Sequence, residues 1–159
     1  MDDFDPDSLM VSDALKNIYA TISPISESEV VLIRESLNRV LAAEIISSLN
    51  VPTATNSAMD GYASHGDDVP GQGTSKLRVI GTAFAGKPYQ GKVAQGECVR
   101  IMTGAVMPDT TDTVIIQEHV ERTDDEILID SETKSGSNVR QAGEDVSVGD
   151  IVLKKGDRI

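Results

Sequence analysis

Leu77-Arg78-Val79-Ile80 opens a run of short, β-branched, largely apolar segments that decides the fold. It is followed by Cys98-Val99-Arg100-Ile101, Thr113-Val114-Ile115-Ile116-Gln117 and Ile127-Leu128-Ile129, each separated by Gly, Pro and Asp punctuation. Segments of this length and composition form strands, and their regular spacing predicts a small antiparallel β-barrel or sandwich. Arg122-Thr123-Asp124-Asp125-Glu126 is polar and short enough to connect two strands as a hairpin.

Upstream the texture differs. Residues 1–10 hold four Asp and a Pro, the composition of a disordered acidic tail. Ser12 is placed to cap a helix in which Val11, Leu15, Ile18, Tyr19 and Ile22 share one face, and Pro24 stops it near Thr21 or Ile22. Val30-Val31-Leu32-Ile33 reads as a buried strand. Ser36 starts a short helix with Leu37, Val40 and Leu41 on one side, passing into the β-prone Glu44-Ile45-Ile46-Ser47. Residues 11–50 therefore form an α/β linker unit with little core of its own. Val146 to Asp157 reads as turn, strand, turn and returns to that unit, leaving residues 51–145 as the β domain. The whole is α+β, mainly β. The ending Gly156-Asp157-Arg158-Ile159 resembles the start of another element, so continuation past Ile159 is expected.

Composition excludes several classes. The formal charge is −12, from 26 acidic and 14 basic residues, with no basic run, so nucleic-acid binding is not expected. No stretch approaches the ~20 apolar residues of a membrane span, and the chain does not open on a basic, apolar leader. Cys98 is the only cysteine, which precludes an internal disulfide and fits a buried small residue in a cytoplasmic protein.

Three polar clusters carry the chemistry. Asn56-Ser57-Ala58-Met59-Asp60-Gly61-Tyr62-Ala63 follows Val51-Pro52 and sets an amide, a hydroxyl and a carboxylate beside a glycine, placing Asp60 on a rigid bend. Met102-Thr103-Gly104-Ala105 leaves a strand end, where a hydroxyl and open backbone N–H groups could bind an oxyanion. Arg140-Gln141-Ala142-Gly143-Glu144-Asp145 offers a guanidinium for phosphate and carboxylates for a hard cation such as Mg²⁺. Each alone reads more readily as a structural turn. Gly71-Gln72-Gly73 is not followed by a helical pattern and is no phosphate loop.

Together, in this order and spacing, the clusters resemble the molybdopterin molybdotransferases, the family of bacterial MoeA and the E domain of gephyrin. Ala85-Gly86-Lys87-Pro88, Arg100-Ile101 before the Thr-Gly-Ala loop, Pro108, Asp112, Val114, Gln117-Glu118, and Gly136 and Asn138 before Arg140 extend the match from about residue 10 to the end. The resemblance implies an elongated linker domain with an inserted β domain, followed in the family by a third α/β domain of MogA type and a small β domain. It implies insertion of molybdate into adenylylated molybdopterin at a cleft between this β domain and the third domain of a homodimer partner. It implies Mg²⁺, a molybdopterin adenylyltransferase as delivery partner, and inactivity of this piece alone. By motif position, Asp60, Ser57, Thr103 and Asp145 are the candidate catalytic residues, Asn56, Gly61, Gly104 and Arg140 face the cofactor, and Asp60, Glu144 and Asp145 are the candidate metal ligands. A β-rich binding or scaffold module without catalysis is the alternative. One position departs from the family, which has Gly two residues after the Pro of the Thr-Gly-Ala loop. Here Thr110 stands there, so the loop is expected to take another turn type.

Overall fold

β-Branched residues pack well on a pleated surface, and the four runs that carry them become strands of one sheet. A computed structural model describes residues 8–159. In chain order it contains helix α1 (Val11–Thr21) and strands β1 (Ile45–Ile46), β2 (Asn56–Ser57), β3 (Gly61–Ser64), β4 (Thr74–Ala83) and β5 (Glu97–Ile101). There follow β6 (Thr113–Ile116), β7 (Val120–Thr123), β8 (Glu126–Asp130), β9 (Val139–Arg140) and β10 (Ile151–Leu153).

Six strands form a curled half-barrel in the order β6-β3-β5-β4-β8-β7. All its pairs are antiparallel except β4 with β5, which is parallel. The alternation of strand side chains divides the core in two. Ala63, Val99 and Val114 belong to one cluster, whereas their neighbours Tyr62, Cys98 and Ile115 belong to the other. Both faces of the central strands are thus buried, which is why their sequences are apolar runs rather than alternating ones. Cys98 is fully buried between them, and desolvation pushes its thiol up to about 12, the state of an inert core residue.

β3 was not evident from the sequence, because Gly61, Ala63 and Ser64 have low strand preference. Its neighbours impose the conformation: Gly61 to Ala63 pair with β5 on one side, and Gly61 to Ser64 with β6 on the other. A Cβ at Gly61 would lie 2.1 Å from the carbonyl oxygen of Ile115, so only glycine fits. The expected polar hairpin joins β7 to β8, with Asp124 in the left-handed region, and its flanks Arg122, Thr123 and Glu126 are themselves strand residues.

The N-terminal unit differs from expectation in three places. α1 forms where predicted, but its first turn already closes on the carbonyl of Met10, so Ser12 lies inside the helix and caps nothing. Residues 30–33 form no strand; Val30 is fully exposed, and only a 3₁₀ turn at Ile33–Glu35 follows. Residues 36–41 form no helix, because Asn38 is left-handed and its neighbours bond to the returning chain: Asn38 N–H to Ile159 O at 2.6 Å and Leu41 N–H to Asp157 O at 2.8 Å. The β-prone 44–47 segment does form a strand, β1 on β10. Residues 38–51 and 146–159 thereby run side by side as a ribbon, closed where Val51 and Val146 exchange backbone hydrogen bonds at 2.8 and 3.2 Å. Of the expected acidic tail, residues 1–7 lie outside the described residues, and residues 8–10 are exposed coil.

Candidate functional site

Three strands of the half-barrel end together. Gly61 at the start of β3 pairs with Ile101 at the end of β5 and with Ile116 at the end of β6. The residues just beyond these ends, Asp60, Met102-Thr103 and Gln117, therefore meet. The sheet thus brings the Asp60 and Thr103 clusters, with Gln117, onto one surface.

Asp60 is its centre. Its Oδ1 accepts the Thr103 backbone N–H and the Thr103 hydroxyl, each at 2.7 Å. Those two bonds, and then the positive charge of Arg100, hold its carboxyl below the ordinary aspartate value, so Asp60 is an anion at neutral pH. Both donors fall on Oδ1, and Oδ2 has no protein donor among the described residues. The Thr103-Gly104-Ala105 loop is fixed from behind: Gly104 N–H donates to Ser57 O at 2.8 Å and Ser57 N–H to Ala105 O at 2.9 Å. Gly104 has φ +78, the left-handed conformation that glycine adopts without strain.

Ser57 does not present its hydroxyl to this surface. It is 1 % exposed, and its Oγ donates to Met59 O at 2.5 Å while accepting the Met59 N–H at 3.3 Å. It holds the bend that carries Asp60. Asn56 is the register partner of Arg140 in the two-stranded β2–β9 pair, and its amide nitrogen bonds Ala54 O at 3.3 Å. Strand β9 thus brings the third cluster alongside the first, helped by Ala58 N–H bonding Asn138 O at 2.9 Å.

Arg140 is engaged within its own loop. It donates to Asp145 Oδ1 at 2.6 Å and lies 3.7 Å from Glu144 Oε1, and these bonds, Asp145 foremost, raise its already high pKa. The pairs are half exposed and screened by solvent, so a phosphate or oxyanion could compete for the guanidinium. Glu144 also accepts the Gln141 N–H at 2.9 Å, and Gly143 sits at φ +76. The expected metal trio of Asp60, Glu144 and Asp145 does not assemble: among the described residues no three His, Cys, Asp or Glu side chains are placed to hold a cation. Asp60 faces Thr103, whereas Glu144 and Asp145 face Arg140. The donor set of this chain does not by itself fit Mg²⁺.

Two contributors at the same strand ends, Arg100 and Gln117, belong to the motif match, but the sequence reading assigns them no role in the site. Arg100, on β5, donates to Gly61 O at 2.8 Å and to Gln117 Oε1, with its guanidinium 5.1 Å from the Tyr62 ring centre. Gln117 in turn donates to Glu118 Oε1 at 2.9 Å, the main reason the Glu118 carboxyl is held below its ordinary value. Arg100 within an apolar run gives no such signal, because a single charge in a strand ordinarily points to water.

The Thr110 loop also differs from expectation. Thr110 keeps the left-handed conformation, φ +71, that a glycine would take. Its hydroxyl compensates by donating to Val93 O at 2.6 Å and accepting Val93 N–H at 3.2 Å.

Comparison with known proteins agrees with this architecture. Residues 9–159 match the family described as MoeA N-terminal region (domain I and II). The chain belongs to the MoeA family and corresponds to its N-terminal region. It is 44% identical over 135 residues to the molybdopterin molybdenumtransferase of Haemophilus influenzae, covering 84% of this chain and 33% of that protein. It is 33% identical over 152 residues to the one from Staphylococcus aureus strain MSSA476, covering 94% of this chain and 36% of the relative. The crystal structure of the molybdopterin biosynthesis MoeA protein from Pyrococcus horikoshii OT3 superposes with a TM-score of 0.86 at 33% identity, over 93% of this chain and 40% of that one. The chain thus spans about a third of the length of the curated relatives it matches.

Proposed function

We propose that this chain forms one wall of a molybdopterin molybdotransferase site, at which molybdate is inserted into adenylylated molybdopterin during molybdenum cofactor biosynthesis. Family membership supports the reaction class. The observation that carries the site is the Asp60 carboxylate, held by two donors from Thr103 and with its second oxygen open, at the point where the family motifs converge.

In this reading Thr103 orients Asp60, Gly104 and Gly61 let substrate and backbone approach closely, and Arg140 exchanges its Asp145 contact for a substrate oxyanion. Asp60, Glu118, Glu144 and Asp145 make the wall anionic, and molybdate is an anion, so cationic groups from outside this chain must supply the attraction. A homodimer partner's third domain is one source. A divalent cation such as Mg²⁺ is another; Asp60 Oδ2 would be one ligand, with the remainder from substrate, water or partner. Delivery by a molybdopterin adenylyltransferase and a cytoplasmic setting belong to the same proposal. Among the described residues no helix is long and apolar enough to cross a membrane. We also assign residues 11–50 and 146–159 to a linker domain and residues 51–145 to the β domain, a division supported by the Val51–Val146 closure.

The test is Asp60→Asn in the full-length gene product. Amide for carboxylate keeps size and removes charge at a half-exposed position. Molybdate insertion is expected to fall by on the order of 100-fold or more, with Tm nearly unchanged. Normal insertion by this variant would remove Asp60 from the reaction.

A further inference from the structure

We infer that Arg100 is a positioning residue for Asp60, gripping the backbone on one side of it and the side chain of Gln117 on the other. The inference rests on the reading of Asp60 as a functional carboxylate.

Asp60 lies on a bend, where backbone freedom would let its carboxylate wander. It is restrained through its neighbours. Its own carbonyl accepts the Gln117 N–H at 3.1 Å, and the next carbonyl, of Gly61, accepts Arg100 Nη1–H at 2.8 Å. The other arm of the same guanidinium bonds Gln117 Oε1, so a single planar fork ties the start of β3 to the residue just past β6. Arg100 is the register partner of Tyr62 and its guanidinium lies over that ring, which is 3 % exposed. The ring fixes the plane of the fork, and the fork fixes Asp60 relative to Thr103, three residues after Arg100 on the same strand exit. Gln117 passes the restraint on to Glu118 at 2.9 Å, so two carboxylates of the anionic wall share one organiser. Lysine cannot replace it: an ammonium is a single point donor without the planar spread that reaches both oxygens and stacks on a ring.

Two measurements test this. In the full-length gene product, Arg100→Lys and Arg100→Gln are expected to lower kcat on the order of 100-fold with KM within about twofold, the signature of a misplaced rather than missing group. Arg78→Gln is the control: Arg78 pairs with Glu97 at the far end of β5 from Ile101 and Thr103, and neither parameter should move. In the 159-residue chain, the Arg100 variants should speed hydrogen exchange at the Thr103 and Gln117 amides by about 10-fold or more. The Gly104 amide, bonded to Ser57 O, should keep its protection.

Unchanged kcat in Arg100→Lys, with Asp60→Asn inactive, overturns the positioning inference alone. Full activity of Asp60→Asn overturns the reading beneath it, and the exchange experiment still decides whether Arg100 positions the bend. Unaltered exchange at Thr103 overturns the inference even if the rate falls. So does a loss of protection that spreads equally to the Ala63 and Val114 amides with a matching fall in Tm, since Arg100 would then serve the sheet at large.

Discussion

At Thr110 a β-branched residue occupies a conformation that ordinarily costs L-residues about 1–2 kcal/mol. Its hydroxyl makes two bonds to the Val93 backbone, each worth about 0.5–1.5 kcal/mol, so the local gain offsets the local strain. Thr110→Val keeps the branch and removes both bonds, and should lose about 1–3 kcal/mol in urea unfolding. Thr110→Gly removes strain and bonds together and should fall between the two. A valine variant as stable as the parent would show that the hydroxyl is not the compensation. At the same scale, the candidate site was legible where chemistry sits in turns. Asp60 and Thr103 stand out as polar residues beside a glycine, and Arg140 as a cation three residues before one, and the structure gathers their clusters. The role of Ser57 was not legible, because the sequence shows a hydroxyl but not the direction in which it points.

Among the elements, strands announced by continuous β-branched residues were readable, and β3 was not. Its conformation comes from two flanking ladders, a non-local cause that leaves little trace in a segment whose residues other than Tyr62 are small. The same ladders make Gly61 indispensable. Gly61→Ala sets a methyl against the Ile115 carbonyl in a strand that cannot shift, and should cost about 3 kcal/mol or more, read as a drop in the denaturation midpoint. Gly71→Ala, where a Cβ meets nothing within 4 Å, should stay within about 0.5 kcal/mol. Equal effects at the two positions would contradict the packing argument. The strand expected at 30–33 and the helix expected at 36–41 failed for the opposite reason. Periodicity identifies residues that would bury well, but it cannot tell whether a partner surface exists for them, and Val30, Ile33 and Leu37 have none here, while the 38–41 backbone pairs with residues 157–159 instead of forming a helix.

Across the whole molecule the apolar surface is unevenly distributed. The core lies within the half-barrel, while Leu15, Ile18 and Tyr19 on α1, Ile22 just after it, and Ile45, Ile46, Ile151 and Val152 on the ribbon are exposed. Exposed apolar residues in this number favour association, so the 159-residue chain should self-associate and bind an apolar dye. A monodisperse 17.0 kDa monomer in light scattering, without dye binding, would count against this. That the N-terminal segment lacks a core of its own was readable from composition; how its residues pair with the far end of the chain was not, since more than a hundred residues intervene. The closure at Val51 and Val146 has an architectural consequence. Everything between them leaves and re-enters through one hydrogen-bonded gate, so the segment can be inserted into, or exchanged between, host chains without threading a new path. Its side-by-side ends also make it a natural subject for circular permutation, in which old termini are joined and new ones opened at a loop.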